Sequence, residues 1–137
     1  MSKPTLGIIG GGQLGSMLAI AANKLEIKTV IFCDDADAPA QNFSNNFIHG
    51  QYDDKKKIEE FLDKVDIVTY EFENIPYETL NEINKVKPVL PKPSVNRIIQ
   101  HRLAEKDFIN KLNIRTTRYA SIEKKSEINA LQDLLPG

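Results

Sequence analysis

Glycines at positions 10, 11, 12 and 15, with Gln13 and Leu14 between the last two, set a Gly-x-Gly-x-x-Gly pattern across Gly10–Gly15. Such a loop lets backbone approach an anion closely. If a helix starts there, its unpaired N–H groups and positive dipole end favour a phosphate. A tight turn packed against a sheet needs the same glycines, so the pattern alone leaves both uses open. Tyr70-Glu71-Phe72-Glu73-Asn74-Ile75-Pro76 is the second chemical segment, with two carboxylates and an amide close together. A carboxylate there accepts hydrogen bonds from an amine or a hydroxyl. If the strand continues, alternation places Glu71 and Glu73 on one side, and a tight pair would raise one pKa. Solvated loop residues are the plainer account. Asp34 and Asp35 stand 19 and 20 residues after Gly15, where an acid binds ribose hydroxyls in dinucleotide folds, or simply builds a turn.

Other reactive side chains point to less. His49 and His101 have no Cys or acid at metal-ligand spacing, so no metal site is expected. Cys33 reads as a small buried hydrophobe. Ser94 and Ser126 read as helix caps rather than nucleophiles, because the chain has no Gly-x-Ser-x-Gly elbow.

These residues need a scaffold, and the hydrophobic pattern supplies one. Thr5–Ile9 is an apolar run stopped by the glycines, and Leu14, Met17, Leu18, Ala21, Ala22 and Leu25 follow at helical spacing, predicting a strand, a turn and a helix. Further strands are predicted at Thr29–Cys33, Asn46–Ile48 and Ile67–Tyr70, the last of them central and buried, and a short edge strand at Val89-Leu90 between Pro88 and Pro91. Between them, Asp53 or Asp54 caps a helix carrying Ile58, Phe61, Leu62 and Val65, and Pro76 opens another carrying Tyr77, Leu80 and Ile83. Strict β-α alternation predicts a doubly wound parallel sheet with ligands at the strand C-termini. Past Pro93, Ser94 is expected to cap one helix running through Ile98, Ile99, Leu103, Phe108, Ile109 and Leu112, and Ser126 another through Ile128, Leu131 and Leu135.

Composition bounds the partners. The chain has 137 residues, 41% hydrophobic and 27% charged, room for about one domain. One cysteine excludes an internal disulfide, and no apolar run approaches the ~20 residues that span a bilayer. A cytoplasmic protein is expected, with no membrane partner. The net charge of -1 conceals two halves, since residues 1–84 carry 7 Lys or Arg against 14 Asp or Glu, and residues 85–137 carry 11 against 5. The cations of the basic half are scattered among apolar helix positions without interleaved aromatics, so no nucleic acid is expected.

Four segments taken together resemble a known family. Gly-Gly-Gly-Gln-Leu-Gly with Met17-Leu18-Ala19, then Asp37-Ala38-Pro39-Ala40, then Thr69–Pro76, then Gln100-His101-Arg102-Leu103-Ala104-Glu105-Lys106 resemble the N-terminal part of the 5-(carboxyamino)imidazole ribonucleotide synthases, members of the ATP-grasp superfamily. The resemblance implies a Rossmann-like pre-ATP-grasp domain at 1–93, then a helical connection and the start of an ATP-grasp domain at 94–137. It implies an ATP-dependent ligase of purine biosynthesis that uses bicarbonate to carboxylate the exocyclic amine of aminoimidazole ribonucleotide, with magnesium accompanying ATP. It carries substrate binding onto Gly12, Gln13, Leu14, Gly15 and Glu71, extends it to Glu73, and gives Arg102 to ATP. It places no catalytic residue and no metal ligand within this chain, and it allows a homodimer.

Two departures stand out. Ser16 occupies a position where the family usually has Arg, leaving backbone N–H groups as the main anion donors. Family members also continue well beyond residue 137, so a fragment without ligase activity of its own is expected. An NAD-dependent oxidoreductase domain and a non-catalytic nucleotide-binding module remain as alternatives from other classes.

Overall fold

The computed structural model describes residues 3–128, which form two compact units parting between Arg97 and Ile98. The first unit is built on four parallel strands, β1 (Leu6–Ile9), β2 (Thr29–Cys33), β3 (Asn46–His49) and β4 (Ile67–Tyr70), in the order β3-β2-β1-β4. Ile9 lies opposite Phe32 on one side and Tyr70 on the other, so three strands end level. The chain builds outward from β1 to β3 and then crosses back to add β4 on the other side. This reversal leaves a crevice beyond the ends of β1 and β4.

The strands alternate their side chains between two cores. Ile9, Val30, Phe32, Ile48, Val68 and Tyr70 point to one face, where Phe61 and Leu62 of α2 (Lys55–Leu62) and Leu80 and Ile83 of α3 (Tyr77–Val86) cover them. Ile8, Ile31 and Cys33 point to the other, against Ala38, Ala40 and Ala19 of α1 (Gln13–Lys24). Asp54 starts α2 by accepting from the N–H groups of Lys56 and Lys57 at 3.0 and 3.2 Å. Replacing Asp54 by Ala removes both bonds and is expected to cost about 1 kcal/mol, read as a lowered midpoint in thermal unfolding.

Two sequence expectations are corrected. Val89 makes a single parallel bridge to Val68 instead of a fifth strand, which leaves β4 flanked on its outer side by that bridge alone. Val68 donates to the Pro88 carbonyl at 2.8 Å and accepts from Leu90 at 2.9 Å, and prolines 88 and 91 have no N–H with which to lengthen the ladder. Helix α1 buries Gly15, Ser16, Ala19 and Ala22, while Leu14, Met17, Leu18 and Leu25 stay exposed. Its small residues, not its large ones, face the sheet. The reason is proximity, because a Cβ on Gly15 would stand 2.7 Å from the Gly10 carbonyl oxygen.

The second correction concerns the single helix expected after Pro93. It is two, α4 (Pro93–Ile99) and α5 (Arg102–Lys111), with Ser94 inside α4 rather than before it. His101 has extended backbone and its Nδ1 accepts from the Ala104 N–H at 3.4 Å, capping α5. Beyond α5, Tyr119 donates to Asp107 and accepts from Asn110. Ser126 falls in a short 3-10 turn, Lys125–Glu127, and the helix expected through Leu131 and Leu135 lies outside the described residues. No helix among the described residues is long and apolar enough to cross a membrane.

Candidate functional site

Each glycine of the loop has a different task. Gly10 follows β1 with φ of 109°, a conformation L side chains rarely adopt, and its N–H donates to the Phe32 carbonyl at 2.9 Å. A Cβ on Gly11 would stand 2.6 Å from the Ala38 Cβ, and the Gly11 carbonyl accepts from Ala40 at 3.0 Å. Gly15 admits α1 against Gly10. Gly12 caps α1 and faces open space, where a Cβ would meet only the Glu71 carboxylate at an ordinary 3.4 Å.

Glu71 reaches this loop from β4. Its N–H donates to the Ile9 carbonyl at 3.1 Å, carrying the β1–β4 ladder one bond past the strands. Its Oε1 accepts from the Gly12 N–H at 3.2 Å. The anion held by the loop is therefore the protein's own carboxylate. Side-chain atoms of Glu71 lie within about 3 Å of where a Gly10 Cβ would stand, over the ground a pyrophosphate would need in a dinucleotide site.

Around this contact lies a cleft of about 280 Å³, lined by the glycines 10–12, Asp34, Asp35, Tyr52, Glu71 and Phe72 among others. Three carboxylates line it and no Lys or Arg does. The cleft therefore offers acceptors to amines and hydroxyls, while its donors to an anion are backbone N–H groups. The two aspartates differ in use: Asp35 accepts from the Asp37 N–H at 2.9 Å, closing a turn, whereas the Asp34 side chain lies beside the Cys33 thiol. Asp34 and Tyr52 also border a second, adjoining hollow.

Tyr52 is the residue that the sequence does not announce. It sits in the connection before α2, outside any periodic pattern, yet it is 8% exposed and packs edge-on against Phe32 at 5.6 Å. Its hydroxyl donates to the Cys33 sulfur at 3.7 Å, and Thr79 of α3 donates to its carbonyl at 2.8 Å. Burial, with the Cys33 contact adding to it, pushes the phenol far above the usual tyrosine range. It stays a neutral hydrogen donor at any physiological pH.

Of the residues named from sequence, Gly12 and Glu71 meet in the cleft. Gln13 and Leu14 open α1, and Leu14 is 56% exposed and outside the cleft lining. Because β4 ends at Tyr70, alternation does not extend to Glu73, which lies exposed in the following turn and outside that lining. Ser16, where an Arg was expected by resemblance, is buried and donates to the Gly12 carbonyl at 3.0 Å. Arg102 belongs to the second unit, where it pairs with Glu105 at 2.8 Å and borders a shallow hollow with His101, Lys106 and Tyr119. His49 lies 3.2 Å from the Asp34 carbonyl through Nε2. No cluster of three His, Cys, Asp or Glu that could hold a metal occurs among the described residues.

Comparison with known proteins places this arrangement. The chain is 38% identical over 133 residues to an N5-carboxyaminoimidazole ribonucleotide synthase from Brucella melitensis, a match covering 97% of this chain and 37% of that protein. The crystal structure of the Staphylococcus aureus N5-carboxyaminoimidazole synthetase complexed with ADP superposes with a TM-score of 0.87 at 32% identity, over 96% of this chain and 35% of that one. The Aspergillus clavatus synthase in complex with ADP and 5-aminoimidazole ribonucleotide gives 0.81 at 25% identity, covering 96% and 36%. This chain thus spans about a third of the length of these relatives. A family model, the ribonucleotide synthetase preATP-grasp domain, matches residues 3–100. The parallel sheet, its glycine loop and the carboxylate closing on it fall within that match, and the chain belongs to the ribonucleotide synthetase preATP-grasp family.

Proposed function

We propose that this chain is the ribonucleotide-binding part of a 5-(carboxyamino)imidazole ribonucleotide synthase, a ligase that joins bicarbonate to the amine of aminoimidazole ribonucleotide at the expense of ATP. The observation that carries this reading is Glu71, held at the Gly12 N–H in a cleft of acceptors at the switch between β1 and β4. A carboxylate fixed in this way can accept from an exocyclic amine, and Asp34 can accept from ribose hydroxyls. The loop then serves chiefly to position Glu71. Gln13, Leu14 and Gly15 contribute through backbone at the start of α1, and Glu73 contributes less than Glu71. With three carboxylates nearby, the ribonucleotide phosphate draws its counter-charge from backbone N–H groups and from cations outside this cleft.

The described residues do not by themselves fit a magnesium–triphosphate site. Arg102 is exposed and engaged with Glu105, and no acidic cluster accompanies it. Binding of ATP, the source of chemical energy and any homodimeric assembly belong in this reading to the complete enzyme. Two measurements test it. Joined to the remaining portion of a relative, the chain is expected to release phosphate from ATP only when bicarbonate and aminoimidazole ribonucleotide are both present. Alone, it is expected to bind ATP no tighter than millimolar by calorimetry, because an exposed cation contributes only ~0–1 kcal/mol. Micromolar ATP binding by the 137 residues would show that the nucleotide site had been misplaced.

A further inference from the structure

Phe72 is 38% exposed, a large apolar side chain in a cleft that three carboxylates also line. Exposure alone means little, since Phe43 and Phe108 are as open, but neither of those lines the cleft. Position sets Phe72 apart. It follows Glu71 directly in the chain, and it borders both the cleft and the adjoining hollow, which share Asp34 and Tyr52 as well. Its backbone is anchored on both sides, because the Glu71 N–H donates to the Ile9 carbonyl at 3.1 Å and the Phe72 carbonyl accepts from the Ile75 N–H at 3.4 Å. The ring is carried by a fixed turn.

We propose that Phe72 is a specificity-determining residue, the face against which the planar imidazole of the ribonucleotide stacks while Glu71 accepts from its exocyclic amine. This role rests on the ribonucleotide reading of the cleft. Glu71 and Asp34 supply acceptors and the loop supplies N–H groups, which read an amine, hydroxyls and a phosphate but not a ring. An aromatic face reads the ring. Tyr52, the other aromatic of the lining, is buried against Phe32, so Phe72 is the aromatic surface that a ligand in this cleft can cover. No Lys or Arg lines the cleft to sit over the ring instead. Neutral aromatic rings gain by offset or edge-to-face packing, and covering Phe72 also removes its apolar surface from water.

Calorimetry of the 137-residue chain with aminoimidazole ribonucleotide and, separately, with ribose 5-phosphate tests this, using Phe72→Ala, Phe72→Leu and Phe72→Tyr. Phe72→Ala is expected to weaken ribonucleotide binding roughly five- to thirtyfold, the range of a lost stacking partner, and to change ribose 5-phosphate binding by less than about twofold. Phe72→Tyr keeps the ring and is expected to bind like the unaltered chain, whereas Phe72→Leu keeps only apolar bulk and is expected to stay near Phe72→Ala. Equal ribonucleotide affinity in Phe72→Ala and the unaltered chain would overturn the proposal. So would Phe72→Leu matching Phe72→Tyr, a comparison that stands even where Phe72→Ala fails to fold. A parallel loss for ribose 5-phosphate would overturn it too, by showing general damage to the cleft. An unaltered chain that binds neither compound would refute the ribonucleotide reading itself, and this role of Phe72 with it.

Discussion

Gly15→Val is expected to unfold the first unit or to lower its stability by roughly 3 kcal/mol or more, against a total of ~5–15 kcal/mol for a domain of this size. The obstacle is backbone, since the added Cβ would stand 2.7 Å from the Gly10 carbonyl oxygen. That oxygen cannot retreat cheaply. Gly10 is held by its bond to Phe32, and its φ of 109° leaves little freedom. Gly12→Val makes the contrast within the same motif. Gly12 has an ordinary negative φ of -73° and open space on the side where a Cβ would go, apart from the Glu71 carboxylate at 3.4 Å. It is expected to melt within a few degrees of the unaltered chain while displacing Glu71. Thermal unfolding of the two variants side by side separates the glycine that packs α1 from the one that faces the cleft, and equal stability would mean that α1 does not pack as described.

The second large effect belongs to Glu71. Glu71→Gln keeps an oxygen to accept from Gly12 and removes the charge, so the fold is expected to hold. A charge-assisted hydrogen bond to the substrate is worth about 1.5–3 kcal/mol, hence a loss of roughly tenfold to a hundredfold in affinity for aminoimidazole ribonucleotide by calorimetry. Carboxylation efficiency in a completed enzyme is expected to fall in parallel, with ATP affinity unchanged. Glu73→Gln is expected to change both by less than threefold. If Glu71→Gln bound normally but melted lower, its bond to Gly12 would be structural alone.

Much of this scaffold is legible in the chain because parallel strands buried on both faces must be continuous apolar runs, as Val30-Ile31-Phe32 and Ile8-Ile9 are. The position of the crevice follows from β-α order and the place of the glycines. The orientation of α1 is not legible in the same way. Periodicity finds the helix through Leu14, Met17 and Leu18 but not the face it packs, since the core contact uses Gly15, Ala19 and Ala22, whose smallness matters more than their hydropathy. Proline 88 and proline 91 limit Val89 to one bridge, a consequence of missing donors that an apolar pair of residues does not reveal. The break before α5 depends on His101 acting as a cap, an uncommon use of imidazole.

At the site, residue types told more than spacing did. Glu71 stands out as an acid after an apolar strand, but its bond to Gly12 spans 59 positions of sequence and exists only once β1 and β4 are paired. Tyr52 gives no signal, because its ring packs on Phe32 of β2 and its carbonyl is held by Thr79 of α3, residues 20 and 27 positions away in the chain. Asp34 and Asp35 are interchangeable in a sequence. They are distinguished in the fold by the Asp37 N–H that Asp35 accepts.

The central claim is that aminoimidazole ribonucleotide binds where the glycine loop meets Glu71, and amide chemical-shift mapping of the isotope-labelled chain during titration with that ribonucleotide tests it most directly. The account predicts saturable shifts concentrated at Gly10, Gly11, Gly12, Asp34, Tyr52 and Glu71, with none of comparable size in α5. A titration that left these amides in place, or that moved chiefly those around Arg102 and Lys106, would contradict it.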